Sequence, residues 1–475
     1  MSVNVYDPVE VATRVDQLAR ELEDRATTIE GHVDRYQGRG ETLRWASKKF
    51  DEYFKKQFAG FGDNWCMPVV DAAAERMSVL GFRAHGEDFK IDQQLQRDWL
   101  GSNSDLGSSE AFTMQMAAGR AFSLVHPADS PDKAPSVTWE HPQTAIVDTD
   151  PVTGIDRDGL VMWRDDQWDY ATYYTPTHFV KLKRHNGKQR FEDKSRMNAQ
   201  GGWILKDDEE IFTEHRLGEV PLTEIRNKTL LDEEPLSDIA GVAALQDAVN
   251  LVWAYLMNAL DQASMPARVA VNADVPQVPI LDKDGQIAGY QDVELDELIK
   301  EKIIFLPGQD ARIEEWTAAN LEAFSKVISQ IVEHIAAQTR TPPHYLVAKM
   351  INTAAESLNI AEAGLVSKVK ERILYASKGI KKTFRLMAAA RGASAERIEV
   401  LRAGTIIWDN IQYRSEAQMA DVGTKLKSAG FPTEYVVEKL VTDPVQVARV
   451  MKMVERERTM DPFIAAEERM RQGVA

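Results

Sequence analysis

The sequence predicts an α+β, mainly helical fold, on three observations. Apolar residues recur at steps of three and four over long stretches at the start, in the middle and toward the end of the chain. Between about 136 and 220 the texture changes to short aromatic and β-branched runs parted by Asp, Gly and Pro. The 475 residues are 44% hydrophobic and 28% charged, enough for real cores and for about three domains at roughly 100–200 residues each.

Asp7-Pro8-Val9-Glu10 opens the first helix: a capping carboxylate, a proline where no N–H partner is needed, and an acid in the first turn. Val11, Val15, Leu18, Leu22 and Ile29 keep helical spacing until Gly38 and Gly40. A second helix is expected over about 41–57. A third starts at Pro68 and runs through Val69, Ala73, Met77 and Leu80 to Gly81. Residues 109–118 read as helix and 122–126 as a strand. Six short strands follow, at Val137, Thr144, Leu160, Asp169, Phe179 and Gly202, in the pattern of an antiparallel meander that holds four of the ten Trp.

Helix returns over 237–264, with Ile239, Val242, Leu245, Val249, Val252, Leu256 and Leu260 in register, and Pro266 closes it. A non-helical insert from 268 to about 309 contains Asp284-Gly285 between two apolar runs, a hairpin signal. Helix resumes over about 318–338 and stops at Thr341-Pro342-Pro343. From Ala354 to Arg391 the positions Leu358, Ala361, Leu365, Val369, Ile373, Ala376, Ile380, Phe384 and Met387 hold one helical stripe. A single helix of that length spans about 57 Å, a strut longer than a small domain is wide. The remainder, 392–475, reads as shorter helices over 415–428, 432–440 and 444–458.

Composition excludes several functions. One cysteine, Cys66, cannot form an intrachain disulfide. No basic-then-apolar leader is expected, no stretch approaches the ~20 apolar residues of a membrane span, and the reading is cytosolic. The nine histidines never fall three to five residues apart, so no metal site and no cofactor are expected. No Walker-type loop, G-x-S-x-G elbow or dinucleotide fingerprint occurs, and the chain is not expected to be an enzyme. Asp148/Asp150, Asp156/Asp158, Asp165-Asp166 and Asp207-Asp-Glu-Glu210 sit beside turn signals, where solvated carboxylates are the ordinary outcome.

A net charge of −17 argues against gripping nucleic acid over the whole surface. The charge is uneven. Residues 354–391 carry eight basic side chains against three acidic, and 282–301 carry seven acids against two lysines. Each alone is a solvated face; together they are also complementary surfaces for contact between subunits.

Several stretches, taken together, resemble the portal proteins of tailed bacteriophages, especially those of actinobacterial phages. They are Phe61-Gly-Asp-Asn-Trp-Cys66 with Val69-Val-Asp-Ala-Ala-Ala-Glu-Arg76; Gly81-Phe-Arg83; Ala118-Gly-Arg-Ala-Phe-Ser123; and Val220-Pro-Leu222 with Arg226-Asn227. Further on come Ser237-Asp-Ile with Leu245-Gln-Asp-Ala-Val-Asn250, Thr341-Pro-Pro-His-Tyr-Leu346, Ala355-Glu-Ser-Leu358 with Ala361-Glu-Ala-Gly-Leu-Val366, and Arg414-Ser-Glu-Ala-Gln418. Their order covers the chain from about 60 to 445.

The resemblance implies a portal fold: an α/β wing (1–235), a stem helix (236–266), a small β-containing clip (267–309), a returning stem helix (310–338), a tunnel loop (339–353), a long helix (354–391) and a helical crown (392–475). It implies a ring of about twelve subunits at a capsid vertex, in the virion, assembled in the host cytoplasm, with no membrane. Double-stranded DNA would pass through it during packaging and ejection. The implied partners are the terminase large subunit, a head–tail adaptor, and the major capsid and scaffolding proteins. Expected tunnel-loop contacts to DNA are Lys349, Asn352 and Thr353; expected clip docking residues are Asp282, Asp284, Tyr290 and Asp292. Relatives often carry Ser-Gly before the Glu-x-Leu of the long helix, whereas Ala354-Ala355 stand here, so no mobile hinge is expected. From the residues alone two other classes stay open, a metal-dependent hydrolase using the Asp-rich turns and a monomeric structural adaptor.

Overall fold

The computed structural model describes residues 4, 6–39, 43, 45–58, 61–86, 91–126, 133–185, 201–206, 212–231, 233–264, 268–271, 277–281, 286–292, 303–306, 312–315, 320–346, 355–412, 416–441 and 443–460. They form two compact units, one of 1–37, 66–241 and 338–475, the other of 38–65 and 242–337.

In the first unit the helix Pro8–Tyr36 starts where the sequence expects it: Asp7 accepts hydrogen bonds from the N–H of Val9 and Glu10 at 2.9 and 3.4 Å. Its stripe of Val11, Val15, Leu18 and Leu22 is buried against Leu160, Tyr173, Val180, Leu182 and Trp203. Those residues come from the expected meander. Ala145–Thr149, Asp156–Arg164, Trp168–Tyr174, His178–His185 and Ile204–Leu205 pair antiparallel in chain order, and Phe212–Glu214 also pairs with His178–His185. A second antiparallel sheet has Arg120–His126 between Leu222–Arg226 and Ser136–Glu140.

The long helix, Ala355–Ala390, is continuous over 36 residues. Leu365, Val369, Ala376, Ile380, Phe384 and Met387 are fully buried along it, as their spacing predicts. It comes close to the second sheet at Gly379, where an added Cβ would stand 2.8 Å from the Glu224 carbonyl oxygen. Phe384 packs between Trp99 (4.7 Å) and Phe82 (5.1 Å between ring centroids).

Several stretches differ from their expected form. The helix expected from Pro68 to Leu80 is Cys66–Ala74, and Val79–Arg83 is a strand paired antiparallel with Thr405–Trp408, in a tail expected to be wholly helical. The helical spacing of Met77 and Leu80 is overridden by backbone hydrogen bonds to a segment far along the chain. Gly404 permits the approach, since a Cβ there would collide with Phe82 at 2.3 Å. The helix expected over 41–57 begins only at Lys48, where Ser47 caps the Phe50 N–H at 3.3 Å. The one expected from 109 begins at Ser104.

The second unit holds the helices Lys48–Gln57 and Ala243–Ser264 and most of Leu321–Thr339. Between the latter two in sequence lie a three-stranded sheet, with Arg268–Val271 central, parallel to Ile303–Leu306 and antiparallel to Arg312–Glu315, and a hairpin of Gln277–Leu281 with Ile287–Asp292. The strands flanking Asp284-Gly285 therefore pair as the hairpin signal predicts. Phe54, Leu43 and Ala254 are buried together, with Phe50, Phe58, Leu251 and Met257 around them.

Candidate functional site

Three clusters of polar side chains fix the elements on which a function can be hung. The first centres on Asp238, from the Ser237-Asp-Ile motif. Its side chain is 2% exposed. Its Oδ1 accepts from Arg372 Nε and Asn227 Nδ2, both at 2.9 Å, and its Oδ2 stands 3.1 Å from Lys368 Nζ. Burial pushes this carboxyl up, but Lys368 and Arg372 outweigh it and hold it below the usual carboxylate range. Burial likewise pulls Lys368 below an ordinary lysine, against the opposing pull of Asp238. Arg372 also bonds Glu371 at 3.1 Å, and Glu371 pairs with Lys228 at 3.2 Å. Gln338, Thr339 and Arg340 complete the wall of a cleft of about 150 Å³. Arg226-Asn227, Ser237-Asp and the long helix, distant in sequence, meet here.

The second cluster anchors the start of the segment 339–353. Thr339 Oγ1 donates to Thr341 Oγ1 at 2.9 Å, and both threonines are buried. Arg340 between them has φ of 54°, a left-handed backbone that a non-glycine residue adopts at a cost. Arg76 then holds the short helix Pro343–Leu346. It donates to Tyr345 Oη at 2.5 Å and to the Ile411 carbonyl at 3.1 Å, and pairs with Glu362 of the long helix at 3.3 Å. Burial lowers the Arg76 pKa, but the bonds to Tyr345 and Glu362 more than compensate and raise it. Lys349, Asn352 and Thr353 lie outside the described residues.

The third cluster lies in the second unit and joins two motifs. The Asp63 N–H donates to Asn250 Oδ1 (2.9 Å), its carbonyl accepts from Gln246 Nε2 (2.6 Å), and its carboxylate accepts from Trp253 Nε1 (3.2 Å). Gln246 also accepts from the Trp65 N–H at 2.8 Å. Steps of four and three place Gln246, Asn250 and Trp253 on one helix face, so the Phe61–Trp65 turn is read by a single stripe. On the hairpin, Tyr290 is 62% exposed. Asp292 is paired with Gln277 at the strand end. Asp282 and Asp284 lie outside the described residues.

Asp165 and Asp166 are exposed, as expected, and residues 207–210 lie outside the described residues, but Asp148, Asp150, Asp156 and Asp158 do not behave as solvated carboxylates. Asp158 is buried, accepts from Arg14 Nε and from Tyr173 Oη, each at 2.8 Å, and the same Arg14 reaches Asp148 at 2.6 Å. Asp156 holds Lys382 at 2.6 Å. Asp150 takes Arg157 and the N–H groups of Val152 and Thr153, bonds that lower its pKa to about 2. Their oxygens serve cations and turns of the fold, so the hydrolase reading has no open carboxylate pair in Asp148, Asp150, Asp156 and Asp158.

Five of the eight basic side chains of the long helix already have a carboxylate partner within the chain. Lys368 and Arg372 bind Asp238, Lys382 binds Asp156, Arg385 binds Glu219 at 2.7 Å and Arg391 binds Asp98 at 2.5 Å. Lys370 and Lys378 stay exposed. The sequence gives no local sign of these partners, because each acid lies far along the chain from its cation. Arg14, Arg76, Asp98 and Glu219 were missed for that reason.

One expectation on membranes needs amending. The stretch Ala240–Asp261 is long and apolar enough to cross a bilayer by length and composition, with 33% of it buried. Its spaced Gln246, Asp247 and Asn250 hid this from a search for unbroken apolar runs, and Gln246 and Asn250 spend their amides on Asp63 and Trp65.

Residues 16–460 match the model of the family described as "Phage portal protein, SPP1 Gp6-like". The portal proteins of Mycobacterium phages D29 and L5 are each 24% identical to the chain, over 76% of its length and 71% of theirs. A chain in the structure described as "Neck of native GTA particle computed with C12 symmetry" is 13% identical, with a TM-score of 0.44 over 86% of this chain and 98% of that one. By the extent of the family match, the chain belongs to the SPP1 Gp6-like family of phage portal proteins.

Proposed function

We propose that the chain is the repeated subunit of a closed ring, of about twelve copies, at one vertex of a phage capsid, and that double-stranded DNA enters and leaves through its bore. The observation that carries this reading is the family match over 16–460. The element order agrees with it: an α/β region, a helix, a small β insert, a returning helix, a clamped loop start, a long helix and a tail. In these terms 1–235 is the wing, 236–266 and 310–338 the stem, 267–309 the clip, 339–353 the tunnel loop, 354–391 the strut and 392–475 the crown.

The role is that of a conduit rather than a catalyst. One side chain facing the bore is repeated at the same height around a ring, so a ring of inward lysines would neutralise many phosphates together and stall the duplex. A subunit carrying −17 suits DNA that must slide. Lys349, Asn352 and Thr353 supply the few direct contacts. Asp282, Asp284, Tyr290 and Asp292 dock the terminase large subunit and later a head–tail adaptor; the major capsid and scaffolding proteins are partners of the ring, which is assembled in the host cytoplasm and resides in the virion.

Negative-stain imaging and native mass measurement of the purified chain test the reading. Closed rings are expected, and a chain that stays monomeric at micromolar concentration sinks it. Replacing Lys349, Asn352 and Thr353 together by Ala should lower packaged DNA per particle with ring mass unchanged. Unchanged packaging would remove those three residues from the DNA path.

A further inference from the structure

The charges around the cleft at Asp238 do not balance. Among the described residues that line it, Lys228, Arg340, Lys368 and Arg372 face only Asp238 and Glu371. Both carboxylates are already shared, Asp238 between Lys368 and Arg372, Glu371 between Arg372 and Lys228. Arg340 is exposed and has no hydrogen bond or ion pair among the described residues. Arg372 and Arg340 both act against the charge on Lys368, adding to the effect of its burial. An oxyanion in the cleft would relieve that repulsion and accept from donors that now outnumber their acceptors.

Reach decides which oxyanion. Two of the cations lie deep: the Lys368 and Arg372 side chains are 4% and 9% exposed. Duplex phosphates lie on a convex rod and do not enter a concavity of about 150 Å³. A carboxylate on a stem of one or two methylenes does. The chain itself supplies such groups in excess, 74 Asp and Glu against 57 Lys and Arg. We infer that the cleft receives an Asp or Glu side chain of a second copy of this chain, making an ion pair between subunits with Arg340 and Lys228 at its mouth. The inference rests on the ring reading above.

Rings assembled from equal parts of ¹⁴N- and ¹⁵N-labelled subunits, treated with a carbodiimide, give the test. This reagent joins amines only to carboxylates in direct contact. Besides the Lys228–Glu371 link within one copy, a mixed-isotope link from Lys228 to an acidic peptide is expected. Arg340→Lys should add a second mixed link from the new amine to the same peptide. Arg340→Glu should weaken association between subunits about tenfold, read as ring dissociation at lower salt, with subunit melting unchanged. Links confined to single copies, together with Arg340→Glu rings as salt-resistant as the wild type, overturn the inference while rings still form. Intact Arg340→Glu rings that retain duplex DNA less well also overturn it, and make the cleft a phosphate site. A wild-type chain that never forms rings defeats the ring reading first and this ion pair with it.

Discussion

Asp238 holds two buried cations with a single carboxylate, so the cost of losing it is paid by what it leaves behind. Asp238→Ala strands Lys368 and Arg372 as neighbouring positive charges with little access to water. Denaturant unfolding should show a loss of about 3–5 kcal/mol, the range for breaking a buried pair from one side. His215 gives a second handle. Its Nε2–H donates to the Thr175 carbonyl at 2.9 Å while Nδ1 accepts from the Leu217 N–H at 3.4 Å, an arrangement only the neutral ring can make. Burial holds its pKa below 6.5, and His126 and His141 shift the same way for the same cause. The unfolded chain takes up these protons more readily than the folded one, so stability is fully present above about pH 6.5 and lost as pH falls below it. Melting temperatures measured between pH 7.5 and 5.5 should fall, and less steeply for His215→Gln. At this scale the sequence was legible only where partners are local. The Asp7 cap could be read from its own tetrapeptide, whereas the pairs of Arg14 with Asp158 and of Arg76 with Glu362 join residues that no spacing rule connects.

The long helix shows both sides of that limit. Its buried stripe follows from periodicity alone, because every third or fourth residue must face one way. Its charged face does not, since whether a lysine is solvated depends on what other elements bring to it. Gly379 and Gly364, both in this helix, give a paired test. A Cβ at 379 meets backbone at 2.8 Å, while at 364 its nearest neighbour is the Arg340 Cβ at 3.7 Å, an ordinary contact. Gly379→Ala should lower stability by about 1–3 kcal/mol through overpacking. Gly364→Ala should raise it by up to about 1 kcal/mol through helix propensity. Equal effects from the two would refute the close approach of helix to strand. The strand Val79–Arg83 is the opposite case, an element whose local pattern favoured helix and whose partner, Thr405–Trp408, supplied the missing term.

Across the whole molecule, the apolar residues left uncovered in the second unit are the feature its own fold does not explain. Tyr255 and Leu260 on one helix and Val327 on the other are 39%, 40% and 42% exposed. In a ring such faces would meet neighbouring copies, and a charge placed there should block assembly without unfolding the subunit. Leu260→Glu with Val327→Glu is expected to keep the circular dichroism spectrum of the wild type and to reduce native mass to that of a single chain. Rings of normal mass from this double variant would move the subunit contact elsewhere.

The antiparallel pairing of Val79–Arg83 with Thr405–Trp408 sets a condition on biosynthesis. A ribosome adding about 5–20 residues per second needs roughly 15–65 s to travel from the first strand to the second. Throughout that interval the earlier strand lacks its edge partner, and for most of it Phe82 lacks the Phe384 ring against which it packs. The first unit therefore completes its fold only near the end of translation.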